Sequence, residues 1–263
     1  MRGIWMDGLK LSEALRRMPQ LRHLSVPYIA NGPLVEAISR KCAHLKYLDL
    51  SGTTELKEQD ILNLRSLSST LAQVNLAVHN DLSPSSVAKL INYLPKLISI
   101  GGYTRTGEAI HTLKMDLKRT HPTLLRYLHD RKTSCETLSS IQFLCPDLCS
   151  IYFNEPNQNT LKYLKPFKNL RKLKVSKAKS TEVHEMLEII GARILQLELV
   201  CLRESLDLKW IAGNCSNLHS FECYYSMGIH LSSTANFVFP KLKKLTVYCT
   251  EIHGFTTAQV SLI

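Results

Sequence analysis

"CAHLKYLDLSGT", residues 42–53, decides how this chain is to be read. Leu45, Leu48 and Leu50 stand in the spacing LxxLxL, with polar or aromatic residues between them. Alternation of this kind marks a strand with one buried face. A single such strand is common and says little; what matters is whether it recurs.

It recurs along the whole chain. With other apolar residues allowed, the pattern is anchored at Leu21, Leu45, Leu71, Leu97, Leu125, Leu148, Leu170, Ile194, Leu218 and Leu242. The gaps run from 22 to 28 residues, inside the 20–29 range of leucine-rich repeats. Between the strand pieces the apolar period lengthens to that of a helix, as in "GPLVEAISRKC" (32–42), "SPSSVAKLINYL" (83–94), "NTLKYLKPF" (159–167) and "STEVHEMLEII" (180–190). Ser83 before Pro84, and Ser180 or Thr181 before Glu182, suit helix starts. The unit is strand, turn, helix, turn, and the helix carries the chain back to begin a parallel strand. The fold class is therefore α/β: a leucine-rich-repeat solenoid, or horseshoe, of about ten repeats. It should have a parallel β-sheet on the concave face and short helices on the convex face, because helices are wider than the strand spacing.

The boundaries follow from the same period. Residues 1–263 read as a single leucine-rich-repeat domain. Two repeats break the pattern: "LISIGG" ends in Gly102, and "LRYLHD" puts Asp130 where an apolar side chain should point inward. Irregular geometry is expected over 101–130. About twenty residues follow Leu242 without a polar cap, so the ends read as truncated or covered by a partner.

Composition narrows the function classes. Lys plus Arg exceeds Asp plus Glu by 33 − 22 = 11, which favours acidic partners without naming one. Charges interrupt every long apolar window and the first ten residues, so neither a membrane span nor a signal peptide is expected. None of the eight cysteines forms a CxxC; "CPDLC" (145–149) has no second pair to complete a zinc site. They read as reduced, mostly buried residues, in a protein of the cytoplasm or the nucleus. No phosphate loop, dinucleotide fingerprint, HExxH or GxSxG occurs, and "GGYTRTG" (101–107) lacks the lysine of a phosphate loop. His121 and His129 have no further ligands near them in sequence. No catalytic residue, metal or cofactor is expected, and the chain reads as a non-enzyme.

Three stretches carry a family resemblance. "RKCAHLKYLDLSGTTEL", "FLCPDLCSIYF" and "GNCSNLHSFEC" each place a cysteine three residues before the anchor. They resemble the cysteine-containing repeats of F-box/leucine-rich-repeat proteins, which are ribonuclease-inhibitor-like, over roughly residues 10–260. The resemblance implies that the repeats bind a substrate protein for an SCF-type ubiquitin ligase, leading to ubiquitination and proteasomal degradation. In that family a separate F-box domain binds the Skp-type adaptor and cullin. No F-box is visible in this chain, so those two partners are expected only if one lies outside it.

The period also predicts a surface. Residues on either side of the second leucine, and two further on, should face the concave side. The expected partner-binding residues are Tyr47, Asp49, Tyr103, Tyr127, His129, Tyr152, Lys172, Lys174, Glu198 and Tyr224. Exposed tyrosines are enriched at protein interfaces. A second candidate is the basic run 162–179, with Lys165, Lys168, Arg171, Lys172 and Lys174 as anion ligands. The alternatives to a ligase subunit are a leucine-rich scaffold with no ubiquitin link, or an anion or nucleic-acid binder using that run; nucleic acid is the less favoured ligand, because the run is split between strand and helix faces.

Overall fold

The computed structural model describes residues 8–53, 56–76, 82–131, 133–156, 163–226, 229–230, 238–249 and 259–262. The chain divides into two compact units, one of residues 1–129 with 143–145, the other of residues 130–142 with 146–263. Both are built from the repeat that the sequence predicts, and both have the α/β leucine-rich-repeat fold.

The first unit holds helices α1 (Gly8–Leu15), α2 (Gly32–Lys41), α3 (Glu58–Leu62), α4 (Pro84–Tyr93) and α5 (Thr106–Met115). Its strands are β1 (His23–Ser25), β2 (Tyr47–Asp49), β3 (Gln73–Asn75) and β4 (Ser99–Gly101), followed by the start of β5 (Tyr127–Arg131). They pair in parallel and in chain order. Helix α6 (Cys135–Leu144) begins in the second unit and ends in the first.

The second unit adds β6 (Ser150–Asn154), β7 (Lys172–Ser176), α7 (Ser180–Ile190), β8 (Gln196–Val200), β9 (Leu206–Asp207) and α8 (Leu208–Asn214). Then come β10 (Ser220–Ser226), β11 (Ile229–His230), β12 (Lys244–Cys249) and β13 (Gln259–Leu262). Strands β6, β7, β8, β10 and β12 are parallel neighbours, while β9 pairs with β11 separately. Strand β13 is antiparallel to β12 and covers its edge, removing a row of unpaired backbone groups. The start of "NTLKYLKPF" lies outside the described residues.

One local design repeats. Cys42 ends α2: its N–H donates to the Ile38 carbonyl (2.9 Å), and its carbonyl receives the N–H of anchor Leu45 (3.0 Å). Cys215 does the same between Ile211 and Leu218, and Leu94 between Leu90 and Leu97. The site needs a compact apolar side chain in the core, which a thiol or a leucine can supply. Cys42, Cys145 and Cys215 are all fully buried. Burial raises the Cys42 thiol and pushes Cys145 and Cys215 up to about 12, so all three stay protonated and unreactive.

The anchors Leu45, Leu71, Leu97, Leu125, Leu148, Leu170, Ile194 and Leu218, and the apolar residues that follow them, form the buried side of the strands. Ser83 caps α4 as its position predicts, accepting the Ser86 N–H. For α7 the cap lies one residue earlier than expected: Lys179 is the cap residue, and the Glu182 carboxylate accepts its N–H (2.8 Å). Ser180 instead donates from both N–H and hydroxyl to Glu204.

In five repeats the residue seven positions after the anchor, at or just beyond the end of the strand, is left-handed. Tyr28, Gly52, Glu155, Lys177 and Cys201 occupy this place, with φ between 51° and 75°. Gly52 is needed there, because a Cβ would lie 2.2 Å from the Tyr28 ring. The other four carry side chains in a conformation that costs roughly 1–2 kcal/mol per residue.

The two aberrant repeats are resolved differently. Gly102 is left-handed (φ 70°), and the buried Tyr103 follows it. The Tyr103 hydroxyl donates to the Leu82 carbonyl (2.9 Å), so its polar end is satisfied inside the core. The expectation that Tyr103 faces a partner is thereby corrected: the chain turns at Gly102, and the ring occupies the apolar place that glycine leaves. Asp130 is buried as its position predicts, and accepts a 2.7 Å hydrogen bond from the equally buried Thr133 hydroxyl. Strand pairing thins here, with Ser99 opposite Tyr127 as the register between β4 and β5.

Candidate functional site

Parallel register places equivalent positions of successive repeats side by side, about 4.8 Å apart. The outward side chains therefore form rows across the strands. Each unit has its own set.

In the first unit one row reads His23, Tyr47, Gln73, Ser99, Tyr127. Tyr47 and Tyr127 stand three strand spacings apart, about 14 Å. Between them lies a shallow depression of about 490 Å³, floored by Gln73, Asn75, Ser99, Gly101 and Gly102. Gly101 keeps the floor low, since a Cβ there would come 3.0 Å from the Asn75 amide oxygen. Asp49 sits beside this row but is turned to its own backbone, accepting from the Ser51 N–H (2.9 Å) and the Ser25 hydroxyl (3.1 Å). Burial, then the Asp49 charge, raises the Tyr47 phenol, so it stays a neutral donor. His129 lies half-buried further along β5 and does not line the depression.

In the second unit three rows run across β6, β7, β8, β10 and β12. The first is Ser150, Lys172, Gln196, Ser220, Lys244. The second is Tyr152, Lys174, Glu198, Glu222, Thr246 and the third Asn154, Ser176, Val200, Tyr224, Tyr248. A cleft of about 200 Å³ lies between the first two rows, from Ser150 and Tyr152 to Ser220 and Glu222.

Charges in the second row are paired across strands. Lys174 Nζ is 2.6 Å from Glu198 Oε1 and 4.9 Å from the centre of the Tyr152 ring. Lys244 Nζ is 2.7 Å from Glu222 Oε1, and Tyr224 donates its hydroxyl to Glu222 Oε2 at 2.5 Å. The bonds from Lys244 and then Tyr224 hold the Glu222 carboxyl below its ordinary value. The same bond from the other side pushes the Tyr224 phenol up to about 12. The Tyr224 and Tyr248 rings stack at 5.4 Å. Along the rim, Glu155 bridges Arg131 (3.3 Å) and Lys177 (3.5 Å).

The structure thus brings Tyr47 and Tyr127 to one depression, and Tyr152, Lys172, Lys174 and Glu198 to one cleft, with Tyr224 bonded at its edge. It does not assemble the basic run into one anion site. Arg171 spends its guanidinium on the Lys168 and Leu170 carbonyls (2.7 and 2.9 Å). Lys165 and Lys168 sit in the turns ahead of β7, and Lys174 is neutralised by Glu198. Lys172 alone of the five is on the strand face without an ion pair among the described residues. Gln196, Ser220, Glu222 and Lys244 hold the equivalent positions of their repeats, which the alternation past each anchor also predicts to face outward. Aligning the repeats on their anchors finds them.

No family model matches the chain, and no curated protein matches its sequence. Solved structures do. A chain of the yeast Rad7–Elc1 complex matches with TM-score 0.51 and 13% identity, over 91% of this chain and 77% of that one. TLR13 in its ssRNA13 complex matches with TM-score 0.49 and 19% identity, over 81% of this chain and 33% of its own. An internalin of Listeria monocytogenes matches with TM-score 0.47 and 15% identity, over 92% of this chain and 64% of its own. The chain spans about a third of TLR13 and under two thirds of the internalin. At these identities the likeness is one of fold. Among the described residues no helix is long and apolar enough to cross a membrane, and no group of three metal-ligating side chains gathers.

Proposed function

We propose that the chain recognises a protein through its strand faces, as the substrate-binding part of an F-box-type ubiquitin ligase of the cytoplasm or nucleus. One observation carries the recognition half. Strand after strand presents half-exposed polar and aromatic side chains outward at equivalent positions, while the leucines on the other side build the core. Tyrosine gives large contact area at low entropy cost, and Tyr47, Tyr127 and Tyr152 lie along these rows. A fold of this kind also occurs in a two-protein assembly, that of Rad7 and Elc1. The ligase half rests on the cysteine that precedes the anchor in three repeats, as in the family the sequence resembles.

Full-length protein captured from cells should bring down a Skp-type adaptor and a cullin with its target. The target should accumulate when the protein is depleted. Replacing Tyr47 and Tyr127 together with Ala should weaken target binding at least about tenfold, as for interface anchors, and leave the adaptor bound. Lys89→Ala, exposed on α4, should change neither. Full-length protein without adaptor or cullin would leave a scaffold with no ligase link, and unaltered target binding by the tyrosine variant would move recognition off the strand face.

A further inference from the structure

Among the described residues, the acids on the strand face of the second unit are all matched. Glu155 has Arg131 and Lys177, Glu198 has Lys174, and Glu222 has Lys244. The face also carries Lys172, exposed and without an ion pair among the described residues. Its neighbours in register are Ser150 on β6 and Gln196 on β8, then Ser220 on β10. None is acidic; Ser150 and Gln196 can donate a hydrogen bond, while the Ser220 hydroxyl donates to Glu222 Oε1 (3.4 Å). All four line the same cleft.

From this arrangement we infer a subsite for a single carboxylate, an Asp or Glu side chain of the bound protein, held by Lys172 with Ser150 and Gln196. The inference rests on the strand-face reading above and names the chemistry it selects. Three features choose a carboxylate. In the two rows that flank the cleft, Lys172, Lys174 and Lys244 stand against Glu198 and Glu222, a surplus of one positive charge, which one carboxylate balances. A dianionic phosphate would meet the Glu198 and Glu222 carboxylates one row away. The cleft, about 200 Å³, falls below the roughly 300–1,000 Å³ of small-molecule sites and suits a side chain. A nucleic-acid backbone is disfavoured because Arg171 and Lys174 are already engaged and Lys165 and Lys168 lie off the row.

The test is an NMR titration of the whole protein with its lysines dimethylated by ¹³C, which keeps their charge. The probes are sodium acetate, inorganic phosphate and neutral acetamide at constant ionic strength. Acetate should shift the Lys172 signal saturably at roughly millimolar concentration, at least about tenfold more tightly than Lys165 or Lys168. Acetamide should not. Gln196→Leu, on an exposed position, should weaken acetate about threefold or more without unfolding the protein. Equal responses at Lys165, Lys168 and Lys172 would overturn the subsite. Tighter, selective phosphate binding at Lys172 would overturn the carboxylate assignment in favour of a phosphorylated partner. Failure of the strand-face reading shows separately, as target binding untouched by the tyrosine variant, whatever acetate does.

Discussion

The strand faces of the two units share one backbone plan and differ in chemistry. From β2 to Tyr127 at the start of β5 the rows carry one acid, Asp49, and no lysine or arginine, with two tyrosines over a floor of amides, a hydroxyl and glycines. Across β6 to β12 the same positions carry Lys–Glu pairs and one surplus lysine. The lesson is a division of labour within the repeat. The anchor and the two apolar residues after it hold each strand, so the residues between them are free to vary. Shape on one face and charge on the other come from the same scaffold.

The comparison breaks first if the scaffolds are not equivalent. Leu48 in the first unit and Leu173 in the second are both buried second leucines. Each change to Ala should cost about 2–5 kcal/mol, read from denaturant unfolding. A large loss at one and a small loss at the other would deny a common plan. Tyr103→Phe should follow at about 1–3 kcal/mol, because the Leu82 carbonyl loses its buried donor. An unchanged midpoint would mean water reaches that carbonyl. Smaller still is Lys174→Ala. Both partners of the Lys174–Glu198 pair are about one-third exposed, so the loss should stay below about 1 kcal/mol and shrink in salt. The matching change in the first unit, Asn75→Ala, should show no salt dependence.

A last contrast is in pH. Tyr224 is protonated more firmly in the folded chain than in the unfolded one, through its bond to Glu222 and then its burial. A raised pKa means that its contribution is full below the ordinary phenol value near 10. That contribution is lost as pH rises towards about 12. A spectrophotometric titration should therefore show a late phenolate step near 12 that Tyr224→Phe removes; a step that survives would assign it elsewhere.

Much of this was legible. The period located the strands of the main sheet that pair in parallel and in register, and most of the helices between them, because leucine spacing is the direct imprint of burial; the short β9–β11 pair lies outside it. Asp130 could be placed inside from its position alone. Tyr103 could not. Its orientation depends on Gly102 taking a left-handed turn, and counting positions past a glycine assumes the alternation continues. The basic run misled for a related reason: Lys165, Lys168, Arg171 and Lys174 are close in sequence but fall in turns and a strand. The acid partner of Lys174, Glu198, comes from the next repeat. Pairing across strands links residues 22 to 24 positions apart, so charge is neutralised where a linear scan finds no acid.

The left-handed residue that follows the strand in five repeats also has a practical meaning. Cys201 occupies one of these seats and is exposed, whereas Cys42, Cys145, Cys215 and Cys223 are buried. A fluorophore coupled there would sit at the end of β8, beside the charged rows, attached to a residue the core does not use. Arrival of a binding partner could then be followed as a change in emission. Cys201→Gly, which relaxes the turn and removes the thiol in one step, supplies the unlabelled control.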